Sequence, residues 1–233
     1  MFNIYFERRS FRAKQGKFLS ETPAEKKPNR RNLLREKVLN AAEAAIAGKG
    51  LSGLKARDIA AEAGCALGAI YTVFEDLDEL ILRVGARTMA QLEAALAAPP
   101  ETVGEDELHR LAFAYLRYAR SNEPRWRALF DHRLPAGRKL PDWYAQDRDR
   151  LFGLLEAPLA KLVPQEEPAL RRLRARTLFS AVHGVAVLGL EEKFAPTPES
   201  TLEAQLSDFV DIVSYGLTRS ASSAPCQSSE GLR

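Results

Sequence analysis

The sequence predicts an all-α protein in two helical parts, an amino-terminal helix-turn-helix unit and a larger carboxy-terminal helical region. Three observations carry this reading. Apolar residues recur at three- and four-residue spacing along most of the chain, and no alternating strand pattern competes with them. Residues 55 to 74 read KARDIAAEAGCALGAIYTVF, two short amphipathic segments about a glycine. Residues from Leu178 to Leu190 are apolar on nearly all sides, which predicts a helix buried all round.

In chain order, residues 1 to 30 mix aromatics with Arg and Lys, then pass through ETPAEKKPNR, where Pro23 and Pro28 oppose regular structure. The expectation is a flexible basic arm, either a DNA-contacting segment or an irrelevant leader. A helix over 31–49 follows, with Leu34, Val38, Ala42, Ala45 and Ile46 on one stripe, bracing the unit behind it. In the first short helix Ile59, Ala60 and Ala63 recur at helical spacing, and Gly64 supplies the turn. In the second, Ile70 and Phe74 point inward one turn apart; Gly68 and Thr72 point away, with Ala69, Tyr71 and Val73 on the flanks. The unit thus occupies 31–76. A linking helix over 77–98 opens with acids in its first turn, as a helix amino terminus favours, and carries Leu77, Leu80, Ile81 and Val84 inward.

The second part, 99–219, starts at the Pro99, Pro100 and Gly104 linker. Its first helix, 105–120, has Leu108, Leu111, Ala112, Tyr115 and Ala119 on one stripe. A short helix over 123–133 starts with Pro124 in its first turn. A longer one over 141–163 is expected to break at Pro158. Pro168 introduces a helix over 171–194, and Ser200 is expected to cap a last one through Leu217. Residues 220–233 are expected to be a disordered tail. The last two helices are so apolar that they predict a four-helix interface with a second copy, involving Leu178, Val182, Val185, Leu188, Leu206, Phe209, Val210 and Val213. The alternative is that the first of them is the monomer's central helix.

Composition bounds the function. The 233 residues carry 34 Lys and Arg against 31 Asp and Glu, net +3, and 45% are hydrophobic, ample for a core. The charge is uneven: residues 1 to 30 have eight basic and three acidic side chains, net +5, while 31 to 98 and 99 to 233 are each net −1. Excess positive charge next to the helix-turn-helix suits phosphate binding. Cys65 and Cys226 lie far apart, so no disulfide framework is expected, in keeping with a cytoplasmic location. No apolar run is long enough to span a bilayer, so no membrane partner is expected. His109, His132 and His183 fall in no metal-binding spacing, and no nucleophile elbow, phosphate loop or C-x-x-C occurs. The expectations are no enzyme, no cofactor and no metal.

The residues around the turn, R57-D58-I59-A60, A63-G64 and G68-A69-I70-Y71 with F74, resemble the TetR/AcrR family of bacterial transcriptional regulators over roughly 31–96. V182-H183-G184 is similar to the Trp-His-Gly signature that names one subgroup, with Val182 in place of the Trp. The resemblance implies a homodimer, formed through the last two helices, that binds a palindromic double-stranded DNA operator. Arg57 is the first choice for a base contact, with a phosphate contact or an ion pair to Asp58 or Glu62 as its alternatives. Lys55 suits phosphate. Leu67 and Ala69 suit thymine methyls, Gly68 a close backbone approach, and Thr72 a phosphate or base; the family's counterpart of Tyr71 packs partly and bonds the backbone. Ala66, Val73 and Leu77 depart from the family's more polar pattern, which shifts specificity toward Arg57, methyl contacts and DNA shape. For a small apolar or aromatic effector the candidates are Phe113, Trp126, Phe130, Trp143, Tyr144, Phe152, Phe179 and His183; each is alternatively plain core. The implied function is a repressor released from its operator by that effector. An activator or constitutive binder, or a helical interaction protein or enzyme that has lost DNA binding, are the alternatives.

Overall fold

The computed structural model describes residues 29–99, 106–191 and 197–222. The expected arm up to residue 28, most of the linker, the tail beyond 222 and Cys226 lie outside the described residues. Among those described, every regular element is helical. They are α1 (Arg30–Lys49), α2 (Ala56–Glu62), α3 (Leu67–Ile70), α4 (Leu77–Leu96), α5 (Glu107–Ser121), α6 (Glu123–Asp131), α7 (Asp142–Leu162), α8 (Pro168–Leu190) and α9 (Glu199–Ser222), with a 3-10 turn at Leu51–Gly53.

Two cores form. The first joins Val38, Ala42 and Ile46 of α1 to Ile59, Ala60, Ile70, Phe74, Leu80 and Val84, with Ala128 of α6 closing it. The second joins Met89, Leu92 and Leu96 to the α5 stripe, Trp126, Leu151, Val182, Ala186, Leu202, Leu206 and Val210. Each fully buried Leu or Ile contributes roughly 1.5–3 kcal/mol of transfer free energy. Helix α6 feeds both cores, through Ala128 and Trp126, and so does α4. The first half of α4 belongs to the first and its second half to the second.

Local chemistry fixes how α4 starts. Asp76 is its N-cap and accepts from the Glu79 N–H at 2.8 Å, while Glu79 accepts from the Glu75 N–H at 2.8 Å. This is a reciprocal cap, displaced by one residue from the usual capping box. Helix α5 begins similarly, with Asp106 accepting from the Leu108 and His109 amides.

The structure departs from the sequence expectations at several points along the later helices. Pro158 lies inside α7 without breaking it. It is buried with Leu159, and α7 packs along α8, so tertiary burial outweighs the lost backbone bond. Ser200 does not cap α9; the Leu202 N–H bonds to the Pro198 carbonyl at 2.9 Å, which puts Ser200 in the first turn. Helix α9 runs on past Leu217 to Ser222. Helix α8 is not buried all round: only Ala175, Val182 and Ala186 are fully buried, and Leu188 is half exposed.

Candidate nucleic-acid interface and inner cavity

The turn of the helix-turn-helix is a Schellman motif. Gly64 sits at φ +65°, the Cys65 N–H bonds to the Ala60 carbonyl at 2.9 Å, and the Gly64 N–H bonds to the Ala61 carbonyl at 3.1 Å. A positive φ disfavours any side chain there, which is why glycine holds the position. Helix α3 is a single turn. Ile70 and Phe74 point inward as expected, but Val73 is also buried, not on the flank. The expected readers Lys55, Arg57, Leu67, Gly68, Tyr71 and Thr72 are exposed, and Ala69 is half-buried.

Bonding refines their roles. Arg57 makes no ion pair with Asp58 or Glu62 among the described residues, so its guanidinium is available. The Tyr71 ring is 48% exposed. Thr72 donates its hydroxyl proton to the Ala69 carbonyl at 2.7 Å, so reaching a phosphate requires that bond to break. Neither Lys55 nor Ala66, the residues preceding α2 and α3, caps its helix with a side chain.

Ion pairs tie this unit to the rest of the molecule. Arg35 of α1 donates to the Val73 carbonyl, pairs with Glu79 at 3.1 Å and lies over the Phe74 ring at 4.4 Å. Burial pushes the Glu79 carboxyl up, but the Glu75 N–H, Arg35 and Arg83 outweigh it and hold the group below its ordinary value. Arg87 of α4 reaches Glu36, Asn40 and Glu43 of α1, and Arg125 of α6 reaches Glu43 at 3.2 Å. The segment after α6 closes on the start of α4. There His132 Nε2 lies 2.9 Å from Asp78, and Arg138 pairs with Asp76 and Asp78.

An inner cavity of about 40 Å³ opens between α5, α7, α8 and α9, with Leu96, the last residue of α4, in its wall. Leu108, Leu111 and Tyr115 of α5, Leu155 of α7, Phe179 of α8 and Val210 and Ser214 of α9 face it. Of the eight expected effector-contacting residues only Phe179 lines this space. Four others pack beside it around one polar node. Trp126 Nε1–H donates to Tyr115 Oη at 2.9 Å, and Tyr115 Oη lies 2.8 Å from His183 Nδ1. Phe130 lies over His183 at 4.0 Å between ring centroids, Phe179 stacks on it at 5.9 Å, and Phe152 meets Phe179 edge-on. Desolvation and the nearby Arg127 charge both lower the His183 pKa, so its ring is neutral at pH 7. Tyr115 Oη thus accepts from Trp126 and shares a hydrogen bond with His183 Nδ1.

The remaining three lie elsewhere, a correction to the sequence reading. Phe113 packs at the edge of the core near His109. Trp143 lies under the Arg83 guanidinium at 3.8 Å, and Tyr144 packs against Gly85, both at the seam of α4 and α7. Sequence reasoning missed Tyr115 and Ser214. A tyrosine on a buried stripe is a signal in itself, since its hydroxyl needs a partner inside; Ser214 and the aliphatic wall carry none beyond the apolar stripe.

The eight expected interface residues divide in the same way. Val182, Leu206 and Val210 are buried inside the protomer, where a second copy does not reach them. Leu178 and Val213 line the cavity, and Val185 and Phe209 pack on the core. Only Leu188 is well exposed, at 50%. Leu173, Ile212 and Tyr215, not foreseen, are exposed at 60%, 70% and 62% on the outer side of α8 and α9. Each helix spends one stripe on its own core, and the second stripe is what remains outside.

A short helix-turn-helix with a polar-poor exposed face, joined by one continuous helix to a separate helical core with its own cavity, defines a two-part helix-turn-helix DNA-binding protein. Residues 38–84 match the family described as "Bacterial regulatory proteins, tetR family", and residues 108–209 match "Tetracyclin repressor-like, C-terminal domain". The chain therefore belongs to the TetR family of DNA-binding transcriptional regulators. No curated protein matches the sequence significantly. Among solved structures, a protein of unknown function from Rhodococcus sp. RHA1 is similar at 22% identity and TM-score 0.63, over 85% of this chain and 100% of that one. A tetR-family transcriptional regulator from Streptomyces coelicolor shares 19% identity at TM-score 0.59, over 85% and 92%. The multidrug binding protein EbrR, complexed with proflavin, shares 21% identity at TM-score 0.52, over 75% and 98%. At these identities the likeness is one of fold.

Among the described residues no group of three or more His, Cys, Asp or Glu sits together as a metal site, and no helix is long and apolar enough to cross a membrane.

Proposed function

We propose that this regulator is a homodimeric repressor that leaves a palindromic operator when a small, largely apolar effector enters the inner cavity. One observation carries the reading: α4 bears Leu80 and Val84 in the helix-turn-helix core, and its final residue, Leu96, forms part of the cavity wall. A ligand that displaces Leu96 therefore acts on the helix that carries the DNA-binding unit. Arg138 and His132, clamped on the first turn of the same helix, resist bending there and favour motion of α4 as one piece. A dimer must present its recognition helices about 34–36 Å apart, or at a multiple of that, so a small rotation removes one half-site. EbrR, solved with proflavin and with imidazole, offers a precedent for small aromatic ligands in this fold.

The test is selection of bound fragments from a random DNA library at moderate salt, with Arg57→Ala and Tyr71→Ala as controls. Enrichment of a palindrome by the natural chain, lost in Arg57→Ala, is the expected outcome. Salt-sensitive binding without enrichment would make the protein a non-specific binder. By linkage, an effector that weakens operator binding must itself bind more weakly by the same factor when operator is present.

A further inference from the structure

The cavity wall specifies more than an apolar ligand. Resting on the effector-responsive reading above, we infer that the cavity takes an uncharged single-ring compound with one hydroxyl or carbonyl group, anchored on Ser214.

No Lys, Arg, Asp, Glu or His lines the cavity. Bringing a carboxylate or ammonium into such surroundings without a partner costs several kcal/mol, so charged ligands are disfavoured. Two polar side chains face the space. The Tyr115 hydroxyl is already engaged by Trp126 and His183. Ser214 differs from it and from its neighbours. Thr177 and Ser180 on α8, and Thr218 and Ser220 on α9, each donate to the carbonyl four residues back. Ser214 Oγ makes no such bond, is shut off from solvent and has no hydrogen-bond partner. A buried hydroxyl left without one costs about 1–3 kcal/mol, a cost that a ligand oxygen would remove.

Water fits this site poorly. A buried water needs two to four polar partners, and the wall offers the one open hydroxyl. A cavity of about 40 Å³ has room for about three waters on a scale where one occupies roughly 10–15 Å³. Since a cavity that takes benzene measures about 150 Å³, a six-membered ring is several times larger. Its entry pushes on the wall, Leu96 included, and Phe179 and Tyr115 offer ring faces and edges to meet it. Ligand size and release of DNA are thereby linked: a compound small enough to fit without displacement binds but does not act.

The experiment uses four probes of matched shape, 4-methylphenol, toluene, 4-methylbenzoate and 4-methylbenzylammonium, titrated calorimetrically into the full-length protein and its Ser214→Ala variant. The expected result is that the two neutral probes bind and the two charged ones bind at least tenfold more weakly. Ser214→Ala is expected to lower 4-methylphenol affinity about three- to ten-fold and to leave toluene within twofold. Equal binding of the charged probes, an unchanged 4-methylphenol affinity in the variant, or no binding of any probe at millimolar concentration overturns the inference. Failure here is separate from failure of the regulator reading, because operator selection with Arg57→Ala does not involve the cavity.

Discussion

Tyr115 holds the second core together as a polar group placed among rings. It is almost fully buried, and its hydroxyl joins Trp126, which is wholly buried, to His183. Tyr115→Phe keeps the ring packing but leaves the Trp126 N–H and the His183 Nδ1 without their partner. We expect a loss of about 1–3 kcal/mol in urea unfolding, larger than a surface substitution gives. His183 supplies a second check. Its pKa in the folded state lies below its unfolded value, because burial and Arg127 disfavour the charged ring. Protonation therefore favours unfolding: the contribution of His183 is complete above its unfolded pKa, near 6.5, and is lost as pH falls through the lower folded value. Urea midpoints measured from pH 7.5 to 5.5 should fall more steeply for the natural chain than for His183→Gln, whose side-chain amide offers Tyr115 a hydrogen bond without titrating. Parallel profiles would show that His183 titrates alike in both states.

Helix α4 bears on the helix-turn-helix core at one end and on the cavity wall at the other, and its seam with α7 is tightly drawn. A Cβ at Gly85 would stand 2.9 Å from Tyr144 Oη and 3.2 Å from Cε2 of the same ring. Gly85→Ala gains about 1 kcal/mol of helix propensity but drives Tyr144 off its seat, and overpacking costs typically 1–3 kcal/mol. We expect a net loss of stability that Tyr144→Phe partly restores in the double variant, since removing Oη takes away the nearest clash. Strict additivity of the two substitutions would show that the seam yields freely. The bounds of α4, the bracing role of α1, the Gly64 turn and the stripe of α5 were all legible in the sequence, because local patterning and capping decide them. Pro158 was misread because tertiary burial overrides a local signal, and Ser200 because the helix starts one residue earlier, at Glu199. The places of the aromatic residues were not legible for another reason. Periodicity says that a ring turns inward, not what it meets, and Trp143 and Tyr144 are half-buried at a helix seam while the cavity wall is chiefly aliphatic.

At the scale of the whole molecule, the outer stripe of α8 and α9 bears on the proposed homodimer. Leu173, Leu188, Ile212 and Tyr215 stay exposed after both helices have satisfied their own core, large apolar side chains of the kind that an interface with another chain covers. Nothing within 4 Å would meet a side-chain atom added at Gly184 or Gly216, so the backbone there is open to close approach by another helix. In the proposed homodimer two copies of the face meet about a two-fold axis, so any substitution enters the interface twice. Ile212→Asp then brings a pair of carboxylates into an apolar seam, each desolvated without a partner. Because Ile212 touches solvent in the isolated protomer, the fold itself should be indifferent to the change. We expect unchanged helicity and cooperative unfolding, a shift from dimer to monomer in sedimentation equilibrium, and loss of palindrome binding, since one recognition helix alone reads one half-site. A dimer as tight as that of the natural chain would place the interface elsewhere. A monomer that still bound the full palindrome with natural affinity would detach operator recognition from dimerisation.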